Sequence, residues 1–445
     1  MATSKLPVGM HKTEHTTQRV SGLQSMRKCE QALFCLLGDR LPQSADELAS
    51  LTVHEIATIT EWLSRDGLCG YALSRISQLD VSVPEGLIAK LRRTAATEYL
   101  TWLNSESAIH PLLKIIARYP QDVAMIKGRA VAATVYAAPH LRHSADIDLV
   151  VRTAALPSLF DELHAAGFSL DRINSARYCN GPLISATDVL LQPHSEFVSC
   201  DELPLTRSDG LQLDLKLDPL ESGLRMLELP RFFANHTTVE IAGVEISAPD
   251  IVDQLLIACC HFHKDSFLGL RLMLDIHLLA RALSTSEWNE LERRAMTEGV
   301  ERSVVVALAV CRDRLATGNP EKSGLPPAAA MNVPILNDLV SYRFLWNQNS
   351  LPMLLLNAMV SSNRGRKLRA LWGAFFPNQR FLTAYYAGGR NVNFASIPML
   401  WFLHACTIVS PAGVVRRTLG RFLWKPPANR LTVDQSVNRV YALRD

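Results

Sequence analysis

Asp146 and Asp148 stand one residue apart, with Ile147 between them and the apolar run Leu149-Val150-Val151 directly after. On an extended strand, residues i and i+2 point to the same face. Both carboxylates therefore project together while Ile147 turns to the packed side. Two like charges held that close raise one of the pair's pKa values unless a cation sits between them. Mg²⁺, with Mn²⁺ as its substitute, suits such a place, because it prefers hard oxygen ligands and keeps positions open for phosphates.

The segments on either side give the pair a context. Val123-Ala124-Met125-Ile126 reads as a short strand ending in Lys127-Gly128, and the alanine-rich stretch from Arg129 to Ala137 reads as a helix that Pro139 stops. Farther on, Leu211 to Asp218 alternates four leucines with Gln212, Asp214, Lys216 and Asp218, the cleanest strand pattern in the chain. Strand, glycine, helix, Asp-x-Asp strand and a later strand with a third acid is the order that metal-dependent nucleotidyl transfer needs. In that reaction a hydroxyl attacks the α-phosphorus of a nucleoside triphosphate while cations bridge the phosphates. A glycine where strand turns into helix lets backbone approach the triphosphate, and the helix N-terminus favours its charge. Glu196, Asp201, Glu202 and Asp218 compete for the third position; the leucine alternation favours Asp214. Lys127 and Arg142 can neutralise phosphate charge or pair with nearby acids. Tyr136 reads as a core residue in preference to a base-stacking one.

Taken together, Met125-Ile126-Lys127-Gly128-Arg129-Ala130, Tyr136, Pro139, Leu141-Arg142 and Asp146-Ile147-Asp148-Leu149-Val150-Val151 resemble the bacterial nucleotidyltransferase-like family of the polymerase-β superfamily. The likeness continues through Gly167-Phe168, Leu213-Asp214-Leu215, Pro249-Asp250 to Asp275-Ile276, and Phe375-Phe376-Pro377, so it covers most of the chain from Cys29 to Tyr385. It implies Asp146, Asp148 and Asp214 as metal ligands and Gly128 as the triphosphate turn. Lys127, Arg129 and Arg142 become its nucleotide-side neighbours, with ATP the expected triphosphate. Two positions depart from the pattern. Arg129 stands where the wider superfamily usually has a small serine, and Lys216 where the family often has histidine. The family supplies a reaction class and no acceptor, be it a small molecule, a glycan or a protein.

The elements needed to hold these residues define an α+β fold: a small mixed-sheet nucleotidyltransferase core between helical regions. Its expected divisions are a mobile polar leader over 1–25, an N-terminal helical region over 26–120, and the core over 121–248. A helical domain over 249–320 and a basic helical region over 321–445 follow. The core includes a hairpin, Val239 to Ile246, turning at Ala242-Gly243. Asn319 to Val333, rich in proline and alanine, reads as a linker. After it the charge is lopsided: fourteen lysines and arginines against three acids from Met331 onward. Such a surface suits phosphates, an acidic partner or an anionic membrane.

Composition bounds the rest. Of 445 residues 48% are apolar and 20% charged, with a net charge of +3, which is ordinary for a globular chain. Nine cysteines without a C-x-x-C spacing argue against a disulfide framework or structural zinc and for a reducing, cytoplasmic setting. No apolar h-region marks the N-terminus. Pro398, His404, Ser410 and Pro411 break up Phe394 to Val415 short of the ~18 apolar residues of a membrane span. His261 and His263 face different sides of a helix and, with Asp275 and His277, read as structural. Lys264 and Arg271 are candidates for lining the cleft. Neither a Gly-x-Ser-x-Gly nor a Walker loop occurs, and no nucleic-acid motif is present. The rival expectation is a catalytically silent binding module whose basic region docks a biosynthetic partner or an anionic surface.

Overall fold

The computed structural model of the protein describes residues 11–39, 48–79, 82–144, 146–152, 154–170, 202–216, 219, 229–265, 267, 269–317 and 397–402. Glu196, Asp201, Asp218, the linker, Phe375-Phe376-Pro377 and all but six residues of the basic region lie outside them.

Four helices come first: α1 (His11–Leu37), α2 (Val53–Arg65), α3 (Cys69–Ile76) and α4 (Glu85–Ile116). Helix α1 begins inside the stretch expected to be a polar leader. From Cys29 on, its apolar residues at three- and four-residue spacing (Cys29, Ala32, Leu33, Leu36) are buried. A capping box starts α2, with the Thr52 hydroxyl accepting from the Glu55 amide and Glu55 accepting from the Thr52 amide at 2.8 Å. Helix α4 runs unbroken through Pro111, although proline removes one intrahelical bond there. Burial of Ile109, Leu112, Leu113 and Ile116 on both sides of the proline holds the last turns in place.

The sheet follows. Strand β1 (Val123–Ile126) leads into α5 (Gly128–Val135) and a short 3-10 turn (Pro139–Leu141). Then come β2 (Asp146–Val151), α6 (Leu156–Ala165), β3 (Phe168–Leu170), β4 (Glu202–Arg207) and β5 (Gln212–Lys216). Among the described residues the strand order is β1-β2-β5-β4-β3; only β2 and β5 run parallel. Gly167, at φ +87°, ends α6 in the conformation that favours glycine. After α7 (Leu229–Ala234), a separate hairpin pairs β6 (His236–Ile241) with β7 (Val244–Pro249), turning at Ala242 and Gly243 as expected. Helices α8 (Ile251–Lys264), α9 (Leu270–Ala282), α10 (Thr285–Glu298) and α11 (Glu301–Leu315) complete this part. The α+β reading is therefore correct: a mixed sheet with helical flanks. Strands β3 and β4 are the parts that the sequence does not announce.

Two apolar cores meet at the sheet. On one face Ile147, Leu149, Leu213 and Leu215 pack with the end of α4, helix α6 and the hairpin. On the other, Val150, Ala124 and Ile126 join the large core made by α1 to α3 and α8 to α11. No helix among the described residues is long and apolar enough to cross a membrane.

Candidate functional site

Strand register settles how the acids sit. In the parallel pair β2–β5, Asp148 lies directly opposite Asp214, and Asp146 opposite Gln212. Directly paired residues share a face, as do residues two apart on one strand. Asp146, Asp148 and Asp214 thus project from one face, opposite to the buried leucines of the same strands. Exposure grades along the row: Val150, on the same face, is covered by the helical core, Asp148 is 8% exposed, and Asp146 is open to solvent.

The glycine turn is built against this row. Lys127 caps α5 with φ at +54°, a region that non-glycine residues rarely adopt. Gly128 follows; a Cβ on it would come within 2.5 Å of the Ser144 hydroxyl oxygen. That hydroxyl in turn donates to the Asp146 carbonyl at 3.2 Å and reaches its carboxylate at 3.4 Å. The turn and the start of the acidic strand are therefore one packed unit, and only glycine fits at its closest point.

Cations crowd the middle acid. The Lys216 Nζ is 3.0 Å from Asp148 Oδ1, with the lysine side chain 2% exposed, and the Lys127 Nζ is 3.9 Å from the same oxygen. Lys216 pairs with Val150 in register, two residues beyond Asp214 on β5, so it shares the acidic face.

The two arginines expected near the nucleotide are engaged with other protein groups. Arg129 reaches back to α4, pairing with Glu106 and donating to the Ser105 hydroxyl at 2.5 Å. Burial lowers the Arg129 pKa, and Glu106 opposes that shift. Arg142 donates from Nη2 and Nε to the two oxygens of Asp275, at 2.7 and 2.9 Å. Burial disfavours its charge, but the Asp275 carboxylate more than reverses this and holds its pKa above the ordinary value. Tyr136, just past the end of α5, donates to Asp275 at 2.8 Å and meets Tyr71 edge-on, so it is a core residue, as expected from the sequence. Burial and then Asp275 push its phenol pKa well up.

The histidines take structural places. His263 Nδ1 bonds the Ser303 hydroxyl at 2.8 Å, His277 Nδ1 the Thr317 hydroxyl at 2.9 Å, and His261 lies 3.4 Å from Asp265. Of the two cleft candidates, Arg271 donates to the His143 carbonyl at 2.9 Å, one residue before Ser144; Lys264 is exposed.

The donor chemistry of the acidic face fits a hard divalent cation: three carboxylates, from two adjacent strands, on one side of the sheet. As the side chains stand, no group of three acids, histidines or cysteines among the described residues is gathered closely enough to hold a metal. At Asp148, Oδ1 faces two ammonium groups, those of Lys216 and Lys127.

Beside the turn is a cavity of about 230 Å³ that sequence reading gave no sign of. Trp102, Glu106, Arg129, Ser144 and Glu240 are among its walls. Trp102 stacks on Tyr99 with centroids 5.9 Å apart. Ser144, a wall of the cavity and a partner of Asp146, joins it to the acidic row. Nothing in an isolated Trp102 or Ser144 signals this, because the cavity is assembled by α4, α5 and the hairpin turn.

A family model described as uncharacterised nucleotidyltransferase matches residues 53–316, a span that contains all three acids and the glycine turn. No curated protein matches the chain.

Proposed function

Because the chain belongs to that nucleotidyltransferase family, we propose that it moves a nucleoside monophosphate from a nucleoside triphosphate, ATP by preference, to a hydroxyl-bearing acceptor and releases pyrophosphate. Membership gives the class, nucleotidyl transfer with a nucleotide as substrate. The observation that carries the finer reading is the register of β2 and β5, with Asp148 opposite Asp214 and Asp146 on the same face.

In this reading Asp146, Asp148 and Asp214 would hold Mg²⁺, or Mn²⁺, which when bound neutralises phosphate charge and orients the triphosphate. The chain's own groups do the remainder. The first turn of α5, bare of side chain at Gly128, presents backbone amides to the phosphates. Lys127 adds a positive charge at the same bend. Asp214 accepts the proton of the acceptor hydroxyl as the new phosphodiester bond forms. Arg142 and Tyr136, tied to Asp275, keep the segment before β2 in place.

The test is transfer from α-labelled triphosphates with Mg²⁺ or Mn²⁺ present. Asp146→Ala and Asp214→Asn should each lower turnover by about 10²-fold or more, the scale of losing one preorganised charge at a reacting phosphate. No metal-dependent binding or transfer by the unaltered protein would overturn the reading.

The ion pairing of Asp148 favours a second reading, a silent binding module that keeps the fold, its basic region docking a partner or an anionic surface. Calorimetry with Mg-ATP separates the two, since such a module has no metal-coupled nucleotide affinity.

A further inference from the structure

Lys216 lies on the acidic face beside Asp148, and its role there rests on the nucleotidyl-transfer reading. We propose that Lys216, supported by Lys127, is a built-in counter-ion for Asp148, so that the nucleotide-loaded site takes one divalent cation per chain where a fully acidic triad would take two.

The geometry is specific. Lys216 projects from β5 on the acidic side, and its ammonium lies 3.0 Å from Asp148 Oδ1. Lys127 approaches the same oxygen from the glycine bend, at 3.9 Å. Lys216 and Asp148 have side chains only 2% and 10% exposed, so this is a buried pair. Removing one partner from a buried pair is strongly unfavourable, because the remaining charge is left in a medium that solvates it poorly. A second divalent ion on Asp148 would separate Lys216 from this carboxylate and add its own two charges beside the ammonium. Both effects oppose occupancy.

Strand register fixes the lysine's charge on that side, since Lys216 lies two residues beyond Asp214 on β5. A second divalent ion would add its charge beside both ammonium groups, in a place where Coulomb interactions are only partly screened.

The experiment counts bound Mn²⁺ per chain on the full protein with a saturating non-hydrolysable triphosphate. Free Mn²⁺ is read by electron paramagnetic resonance against a nucleotide-only blank. The unaltered chain should bind one. Lys216→Met, which keeps length and drops charge, should bind two, with the second at least tenfold tighter than any second ion on the parent. Lys216→Arg, which keeps the charge, should stay at one. If the unaltered chain binds two, the counter-ion role is wrong while nucleotidyl transfer stands. If it binds none, the nucleotidyl-transfer reading fails and takes this proposal with it. Should Lys216→Met fail to fold, the count on the parent and on Lys216→Arg still decides, because two ions on either overturns the idea.

Discussion

Gly128 stands where no side chain fits. The Ser144 hydroxyl stands 2.5 Å from where a Cβ would begin, and its own Cβ 3.3 Å away. Gly128→Ala should therefore destabilise the protein by about 1–3 kcal/mol, the range for a methyl forced into packed space. Adding Ser144→Ala removes the closer atom, so the double variant should recover part of that loss in urea unfolding. Equal stability of single and double variants would mean that the turn relaxes elsewhere. At this scale the sequence is legible where chemistry is local. Asp146, Asp148 and Gly128 declare themselves by spacing, and the structure brings Asp214 to the same face. Lys216 stands out in the sequence only as a lysine where the family often has histidine; its pairing is hidden there, because it depends on the carboxylate one strand over. Arg142 looks like a phosphate ligand for the same reason: its partner Asp275 is 133 positions away in the chain.

At the scale of elements, local signals again decide what can be read. The hairpin is visible because Ala242-Gly243 separates two alternating runs, and both residues have positive φ, +49° and +75°. That is the type I′ geometry, which matches strand twist but burdens alanine. Ala242→Asn should raise stability by up to about 1 kcal/mol, seen as a higher melting temperature. A lower one would mean that the alanine methyl contributes contacts in the adjoining cavity. Strand β4 is hidden because Pro204 sits inside it, and proline argues against a strand flanked on both sides. The structure resolves this: β3 pairs only as far as Leu205, so Pro204 has no strand beside it on that side among the described residues. Leu203 and Leu205 point into the core and supply the apolar contacts that outweigh the missing donor. Helix α4 stays whole through Pro111, because burial on both sides of the proline outweighs a single lost bond.

The whole molecule is bound together by buried polar groups as well as by its cores. His277, on α9, bonds Thr317 beyond the end of α11 and lies 3.6 Å from Asp39, just past α1. Burial pushes its pKa from 6.5 down to about 4, against the pull of Asp39 and with help from Arg281 and Arg75. A histidine held neutral in the fold but free to protonate when unfolded contributes stability that is complete above its ordinary pKa. That contribution is lost as pH falls from about 6.5 towards 4, and it amounts to on the order of 3 kcal/mol. Urea unfolding from pH 7 to pH 4.5 should show the decline, and His277→Gln should flatten it by about one proton. An unchanged slope would assign the decline to the carboxylates. None of this is legible in sequence, since Thr317 and Asp39 come from segments distant from His277.

The clamp of Arg142 and Tyr136 on Asp275 also constrains how the protein is born. Arg142 leaves the ribosome 133 residues ahead of the carboxylate that neutralises it. At a few to twenty residues per second, that is a delay of roughly ten seconds. Through that interval the acidic strand and its glycine bend exist without the fastening beneath them. The part of the protein that carries the acidic row is thus translated early and locked late.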